Sequence, residues 1–229
     1  KGAITGPDTL HVSYVHSPMR YAWDLQHQYL RQSGMGRGLA SWAVRALLHR
    51  IRLWDTRTAN GVDHFLANSQ FIARRVWKVY RRAAEVIYPP VDVGDFRLVE
   101  AKGANYVTVS RLVPYKRIEL LVEAFARLPD RHLTIIGTGP ELERLQRLAP
   151  PNVELTGFLS DAEVKGRLER ARAFLFAAEE DFGIVMVEAQ ACGTPVIAYG
   201  KGGACEVVRD LGRPGATGVL FAEQTADSI

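Results

Sequence analysis

EEDFGIVMVEAQACGTPVIA occupies Glu179–Ala198, directly after the apolar run Ala173–Ala178. That run reads as a buried strand: short, uninterrupted and bounded by charge. Gly183 then opens a helix that reaches Cys192. Gly193-Thr194-Pro195 breaks it before a second apolar strand, Pro195–Tyr199. Strand, helix and strand in one unbroken stretch form the βαβ unit of a parallel sheet. Two carboxylates, Glu180 and Glu188, lie on either side of the helix start. An acid ahead of a helix suits the positive end of its dipole, whereas one in the second turn gains little. The second acid is therefore better explained by a ligand than by the helix.

The same rhythm extends outward. Strands at Asn105–Ser110, His132–Gly137, Asn152–Thr156 and Gly218–Phe221 alternate with helices at Ile118–Leu128, Pro140–Ala149, Ser160 or Asp161 to Arg170, and Cys205–Asp210. Short strands alternating with helices predict an α/β fold with a doubly wound parallel sheet. The first half is less regular. Strands are expected at His11–His16, Asp63–Asn68 and Glu85–Tyr88, and helices at about Leu39–Arg57 and from the cap Ser69 to Arg82. Pro89-Pro90 cannot continue a helix. Residues 89–104 read as a linker, with one domain over 1–96 and another over 97–229.

Of the 229 residues, 47% are hydrophobic and 24% charged, which fits one large or two small globular domains. Charge is uneven. Residues 1–100 hold 14 Lys/Arg against 8 Asp/Glu, and residues 101–229 hold 15 against 17. The basic half could meet anionic lipid or phosphate, or simply be a solvated face. Helix 70–82, with five cations, Trp77 and an apolar stripe, raises peripheral attachment to an anionic membrane; the competing reading turns its stripe to the sheet. Two cysteines do not make a disulfide framework, and Cys192 reads as a small core residue. The longest apolar run is far too short to cross a bilayer. No secretory leader is recognisable. The expected location is cytoplasmic, with contact at the inner face of the plasma membrane as the membrane variant. Because the chain opens on Lys1, it is expected to be part of a longer protein.

In a doubly wound sheet, ligands bind beyond the carboxyl ends of the strands. Four such ends carry unusual residues: Ser110-Arg111 with Lys116, Gly137-Thr138-Gly139, Glu179-Glu180-Asp181-Phe182-Gly183, and Gly200-Lys201-Gly202-Gly203. Together they describe a diphosphate site. Arg111 and Lys116 can neutralise phosphate, each charge-assisted bond being worth about 1.5–3 kcal/mol. The amides of Gly183 and Ile184 open a helix where an anion is welcome. Glu188 can accept bonds from vicinal hydroxyls such as those of a ribose. Taken singly, each cation could be a solvated loop residue and Glu188 a surface acid; their convergence argues otherwise.

SRLVPYKR, IIGTGPE, LTGFLSD, EEDFGIVMVEAQACGTPVIA and GGACEVV closely resemble the C-terminal domain of family 4 retaining glycosyltransferases, whose Glu-x7-Glu signature matches Glu180 and Glu188. HVSYVHSPMRYAWD and ANSQFIARRVWKVYRRAAEVIYPPVD resemble the later part of that family's N-terminal domain. The resemblance implies a GT-B architecture of two facing Rossmann-like domains, here with the first incomplete. It implies that Arg111 and Lys116 hold the diphosphate leaving group. Glu180 would contact the transferred sugar beside the amides of Phe182 and Gly183. Glu188 would bind ribose, Phe158 and Leu159 the base, and His16 would approach the donor sugar. The HSPMRYAWD and YPPVD segments look most like the mannosyltransferase branch, which implies GDP-mannose as donor, no metal or other cofactor, and a glycan or lipid-linked acceptor in polysaccharide biosynthesis.

Two family features are missing: a Gly-rich loop ahead of His11, and a closing helix after the last strand. The expectation is a truncated enzyme whose front half leaves apolar surface uncovered. A non-catalytic nucleotide-sugar-binding protein of the same fold is the alternative. A nucleotide-dependent oxidoreductase is disfavoured because the dinucleotide fingerprint after Gly137-Thr138-Gly139 needs Gly or Ala where Leu142 stands. Nucleic acid is not an expected partner, since the cations belong to no recognisable module.

Overall fold

A computed structural model of the chain describes residues 2–32, 34 and 37–229. The chain divides into two compact units, Lys1–Tyr88 and Pro89–Ile229.

The first unit is built on three parallel strands, β1 (Val12–Val15), β2 (His64–Ala67) and β3 (Ala84–Val86), in the order β1-β2-β3. Between β1 and β2 lie α1 (Gln26–Gln32), which the sequence pattern did not reveal, and the long α2 (Gly38–Ala59). Helix α3 (Gln70–Tyr80) joins β2 to β3. Ser69 caps it, its hydroxyl accepting the Ile72 amide at 3.0 Å. The helix stops two residues earlier than expected. Arg81 takes a left-handed conformation (φ 55°) and donates its N–H to the Trp77 carbonyl, closing the last turn. Ile72, Val76 and Tyr80 pack with Phe65, Ala67 and Val62 in the unit's core. The apolar stripe that raised membrane attachment thus serves this unit's own interior, with Trp77 turned outward. The outer face of α2 exposes Leu39, Trp42, Leu47 and Trp54. No helix among the described residues is long and apolar enough to cross a membrane.

The second unit holds six parallel strands: β4 (Tyr106–Val109), β5 (Leu133–Ile136), β6 (Val153–Gly157), β7 (Ala173–Phe176), β8 (Val196–Tyr199) and β9 (Gly218–Phe221). The helices between them are α4 (Ile118–Ala126), α5 (Leu142–Leu148), α6 (Asp161–Arg170), α7 (Ile184–Ala191) and α8 (Ala204–Val207). Strand order is β6-β5-β4-β7-β8-β9. The chain therefore winds outward from β4 through β5 to β6, returns to β7 beside β4, and winds the other way. All four residues of β7 are buried, as a strand covered on both faces requires. Phe174 and Phe176 join one core cluster with Met186, Ala189 and Val196, while Leu175 and Ala177 join another with Leu121, Phe125 and Ile135. Each large side chain so buried contributes about 1.5–3 kcal/mol.

Two expected boundaries move for clear reasons. Helix α5 starts at Leu142 rather than Pro140, because the Glu141 amide bonds the Leu112 carbonyl at 3.1 Å instead of beginning a helical turn. Much of the supposed linker belongs to the second unit. Phe96 packs on its core. The Lys102 ammonium donates to the carbonyls of Glu169 (2.8 Å) and Cys192 (2.6 Å) and to the Thr194 hydroxyl (3.0 Å). One cation thus ties together the C-terminal ends of α6 and α7, where carbonyls lack helical partners; desolvation lowers its pKa.

Candidate functional site

The winding reverses between β4 and β7, and in doubly wound sheets ligands bind beyond the carboxyl ends of the strands at such a point. Lys116 follows β4 in a tight turn, Pro114–Lys116, and Glu180 follows β7. Their side chains meet there: the Lys116 ammonium pairs with Glu180 Oε2. Only 14% of the lysine side chain and 17% of the glutamate's remain exposed. The ammonium also lies over the rings of Phe176 (5.2 Å) and Tyr115 (5.4 Å), so aromatic faces hold the cation in place.

The loop bearing Glu180 is fixed by its neighbours. The Gly203 amide donates to the Glu180 carbonyl at 2.7 Å, and Glu180 forms a parallel bridge with Gly202. Gly202 has φ +70°, and a Cβ there would lie 2.3 Å from the Glu180 carbonyl oxygen. The glycine pair after β8 therefore lets backbone press against backbone and sets the Glu180 Cα. Gly137 does the same for the β4 loop: a Cβ there would lie 1.9 Å from the Ser110 carbonyl oxygen. These glycine turns hold the site's loops together.

Phe182 is buried, and Gly183 caps α7 in a left-handed conformation, with Ile184 half-exposed in the first turn. Arg111 stands exposed at the end of β4 and makes no ion pair among the described residues. Glu188, on the second turn of α7, is partly buried. Desolvation raises its carboxyl above the ordinary 4.5; Lys165 opposes this and Asp161 adds to it. Both of those groups lie in the first half of α6, the helix that Phe158 and Leu159 lead into. Leu159 packs on the core, whereas Phe158 is 80% exposed, a free aromatic face beside that entry. His16 follows β1 in the other unit, exposed, its ring edge-on to Tyr14 at 5.1 Å. Of the residues singled out from sequence, Lys116 and Glu180 are thus in direct contact, Phe182, Gly183 and Ile184 follow Glu180 in the chain, and Glu188 lies within electrostatic reach of the first half of α6.

Sequence reasoning missed Asp55. It is fully buried on α2 and accepts hydrogen bonds from Trp23 Nε1 and the Tyr80 hydroxyl, both at 2.9 Å. It joins the HSPMRYAWD segment to α3. The sequence signal was an acid in the middle of a helical apolar stretch, which rarely lies buried without partners.

Comparison with known proteins places this geometry among relatives. A Mycolicibacterium smegmatis protein described as a GDP-mannose-dependent alpha-(1-6)-phosphatidylinositol monomannoside mannosyltransferase is 36% identical over 204 residues, 76% of this chain and 52% of its own. A D-inositol 3-phosphate glycosyltransferase of Mycolicibacterium gilvum is 29% identical over 202 residues, covering 76% and 44%. The chain spans about half the length of these curated relatives. Among solved structures, the Anabaena protein HepE in complex with UDP and glucose superposes with a TM-score of 0.71 at 22% identity, covering 95% of this chain and 59% of its own, a likeness of fold. Residues 96–229 match the family model for glycosyl transferases group 1, and the chain, with two units of parallel sheet and that match across all but the first few residues of its second unit, belongs to that family.

Proposed function

We propose that this protein transfers a hexosyl group from a nucleoside-diphosphate sugar to an acceptor hydroxyl, with retention at the anomeric carbon and with mannose from GDP-mannose as the donor. The observation that carries the reading is the Lys116–Glu180 contact at the switch point, a cation and a carboxylate held where a doubly wound sheet binds ligands. In the transfer, the bond from the anomeric carbon to the diphosphate oxygen breaks and its electron pair stays on the phosphate. The acceptor oxygen bonds to the same face of that carbon, and its proton passes to the departing phosphate. Negative charge grows on the leaving group. Lys116 neutralises it from a fixed position, where such donors act most strongly because water is scarce, and the exposed Arg111 adds a second cation. Glu180 holds sugar hydroxyls, the amides at Phe182, Gly183 and Ile184 support the diphosphate, Glu188 accepts from the ribose, and Phe158 and Leu159 border the base. The name of the Mycolicibacterium smegmatis relative favours GDP-mannose and a lipid-linked acceptor. No metal is assigned a part.

Calorimetry with GDP, UDP and ADP, followed by NMR of donor turnover, tests the reading. GDP should bind best, and the product should keep the donor's anomeric configuration. Failure of every nucleoside diphosphate to bind would remove the donor site. Binding of GDP without turnover in the presence of acceptor would leave the non-catalytic nucleotide-sugar-binding alternative.

Glu188 adds a pH prediction. Its pKa is raised on folding, so the neutral acid is favoured in the folded chain, and its contribution to stability declines as pH climbs from 4.5 through the raised value. The ionised form accepts two ribose hydroxyls more strongly than the neutral acid, which keeps one good acceptor oxygen. Affinity for GDP-mannose, whose diphosphate is esterified at both ends, should therefore rise with pH over that same interval, with a midpoint above 4.5. The Glu188→Gln variant should bind more weakly and lose this dependence; a wild-type profile in that variant would take Glu188 out of the site.

A further inference from the structure

Resting on that donor site, we propose that Glu180 and Lys116 form an exchange pair that makes the site select the sugar-bearing nucleotide over the free nucleoside diphosphate. The two side chains are paired with each other, and both are largely withdrawn from water. Separating them without substitutes leaves two poorly solvated charges. A bare diphosphate offers a partner to only one of them. It takes Lys116, then sets its own negative charge beside a Glu180 carboxylate that has lost its cation. A nucleotide sugar offers partners to both: phosphate oxygens for the ammonium, and sugar hydroxyls as donors for the carboxylate. Only the complete donor leaves neither charge unmatched.

The surroundings fit an exchange of partners rather than a fixed brace. The ammonium is held against the faces of Phe176 and Tyr115, so it keeps its place whichever anion it meets. The backbone at Glu180 is anchored by the Gly203 amide and the bridge to Gly202. The carboxylate therefore changes partner by side-chain rotation about a fixed Cα. Among the described residues, its second oxygen has only a long contact, 3.4 Å, from the Asp181 amide, which leaves it able to receive hydroxyl protons. Once the sugar has been transferred, Glu180 loses its hydroxyl partners and competes again for Lys116, which speeds departure of the product diphosphate.

The test is calorimetric titration of the wild type and of Glu180→Gln with GDP and with GDP-mannose at one ionic strength, with UDP and UDP-glucose in parallel. The neutral amide removes the charged competitor for Lys116 and leaves the sugar one uncharged acceptor oxygen in place of two charged ones. GDP should bind more tightly to the variant and GDP-mannose no more tightly, shifting their affinity ratio by about tenfold or more, the equivalent of about 1.4 kcal/mol. Equal loss of affinity for both ligands, the signature of a purely structural role, would overturn the exchange, as would an unchanged ratio. A second measurement uses the wild type alone and so does not depend on the variant folding. Free mannose should tighten GDP binding several-fold, because coupling between two ligands is reciprocal; no effect of mannose at saturating concentration would count against the exchange. If neither nucleotide bound the wild type, the donor reading itself would fall. Nucleotide binding with no change of ratio and no coupling would sink the exchange alone.

Discussion

Lys116→Ala should lower transfer by about 100- to 1,000-fold, the scale on which loss of one fixed donor to developing negative charge costs about 2.7–4 kcal/mol. The effect should fall mainly on turnover, because charge on the leaving diphosphate grows towards the transition state and the lost interaction is strongest there. The substitution also strands Glu180, whose side chain is 17% exposed and has Lys116 as its cation. Some stability should go with it. The double variant Lys116→Ala/Glu180→Gln separates the two consequences: removing the orphaned charge should restore unfolding stability while transfer stays low. A single variant that transfers near the wild-type rate would refute the leaving-group role. Recovery of transfer in the double variant would show that the loss had come from the stranded carboxylate.

The residues of this pair were legible before their contact was. β7 and α7 announced themselves by an apolar run, a Gly start and a Gly-Thr-Pro stop, because local sterics and burial decide both elements. That Lys116 and Glu180 meet across 64 residues depends on β4 and β7 being neighbours. No local pattern states this; it follows from the order in which strands add to the sheet. Gly202 shows the same limit. A Gly-rich turn was plain in GKGG, but the carbonyl that demands it belongs to Glu180, on another strand's loop. The 89–104 segment misled for a different reason. Two prolines that cannot continue a helix look like the start of a tether, yet one lysine with three acceptors ties its far end to the second unit. Helix α1 lacked the periodic apolar pattern that would have marked it. Asp55 was legible only as an anomaly, since its partners Trp23 and Tyr80 come from segments 32 residues before and 25 after it.

Asp55→Ala should destabilise the first unit by about 2–5 kcal/mol, since leaving a buried donor unsatisfied costs about 1–3 kcal/mol and two donors lose their acceptor. The carboxylate is fully buried and receives the Trp23 indole N–H and the Tyr80 hydroxyl. Alanine would leave both donors without it and open a cavity between α2 and α3. Tyr80 reports the strength of this environment. Its phenol is pushed well above the ordinary 10.0, first by burial and then by the Asp55 charge and hydrogen bond, so it remains a proton donor throughout the neutral range. Tyr80→Phe removes one bond and leaves the acid its bond from Trp23, so its cost should be smaller, about 1.5–3 kcal/mol for a hydrogen bond to a charged group. Hydrogen exchange at the amides of α2, α3 and β2 provides the measurement, because opening of the first unit can be followed there separately from the second. Loss of protection in these elements with the second unit's amides unchanged is the expected pattern. A shift below about 1 kcal/mol, within the ordinary range for a surface substitution, would mean that Trp23 and Tyr80 find other acceptors and that Asp55 is not the post around which the first unit is assembled.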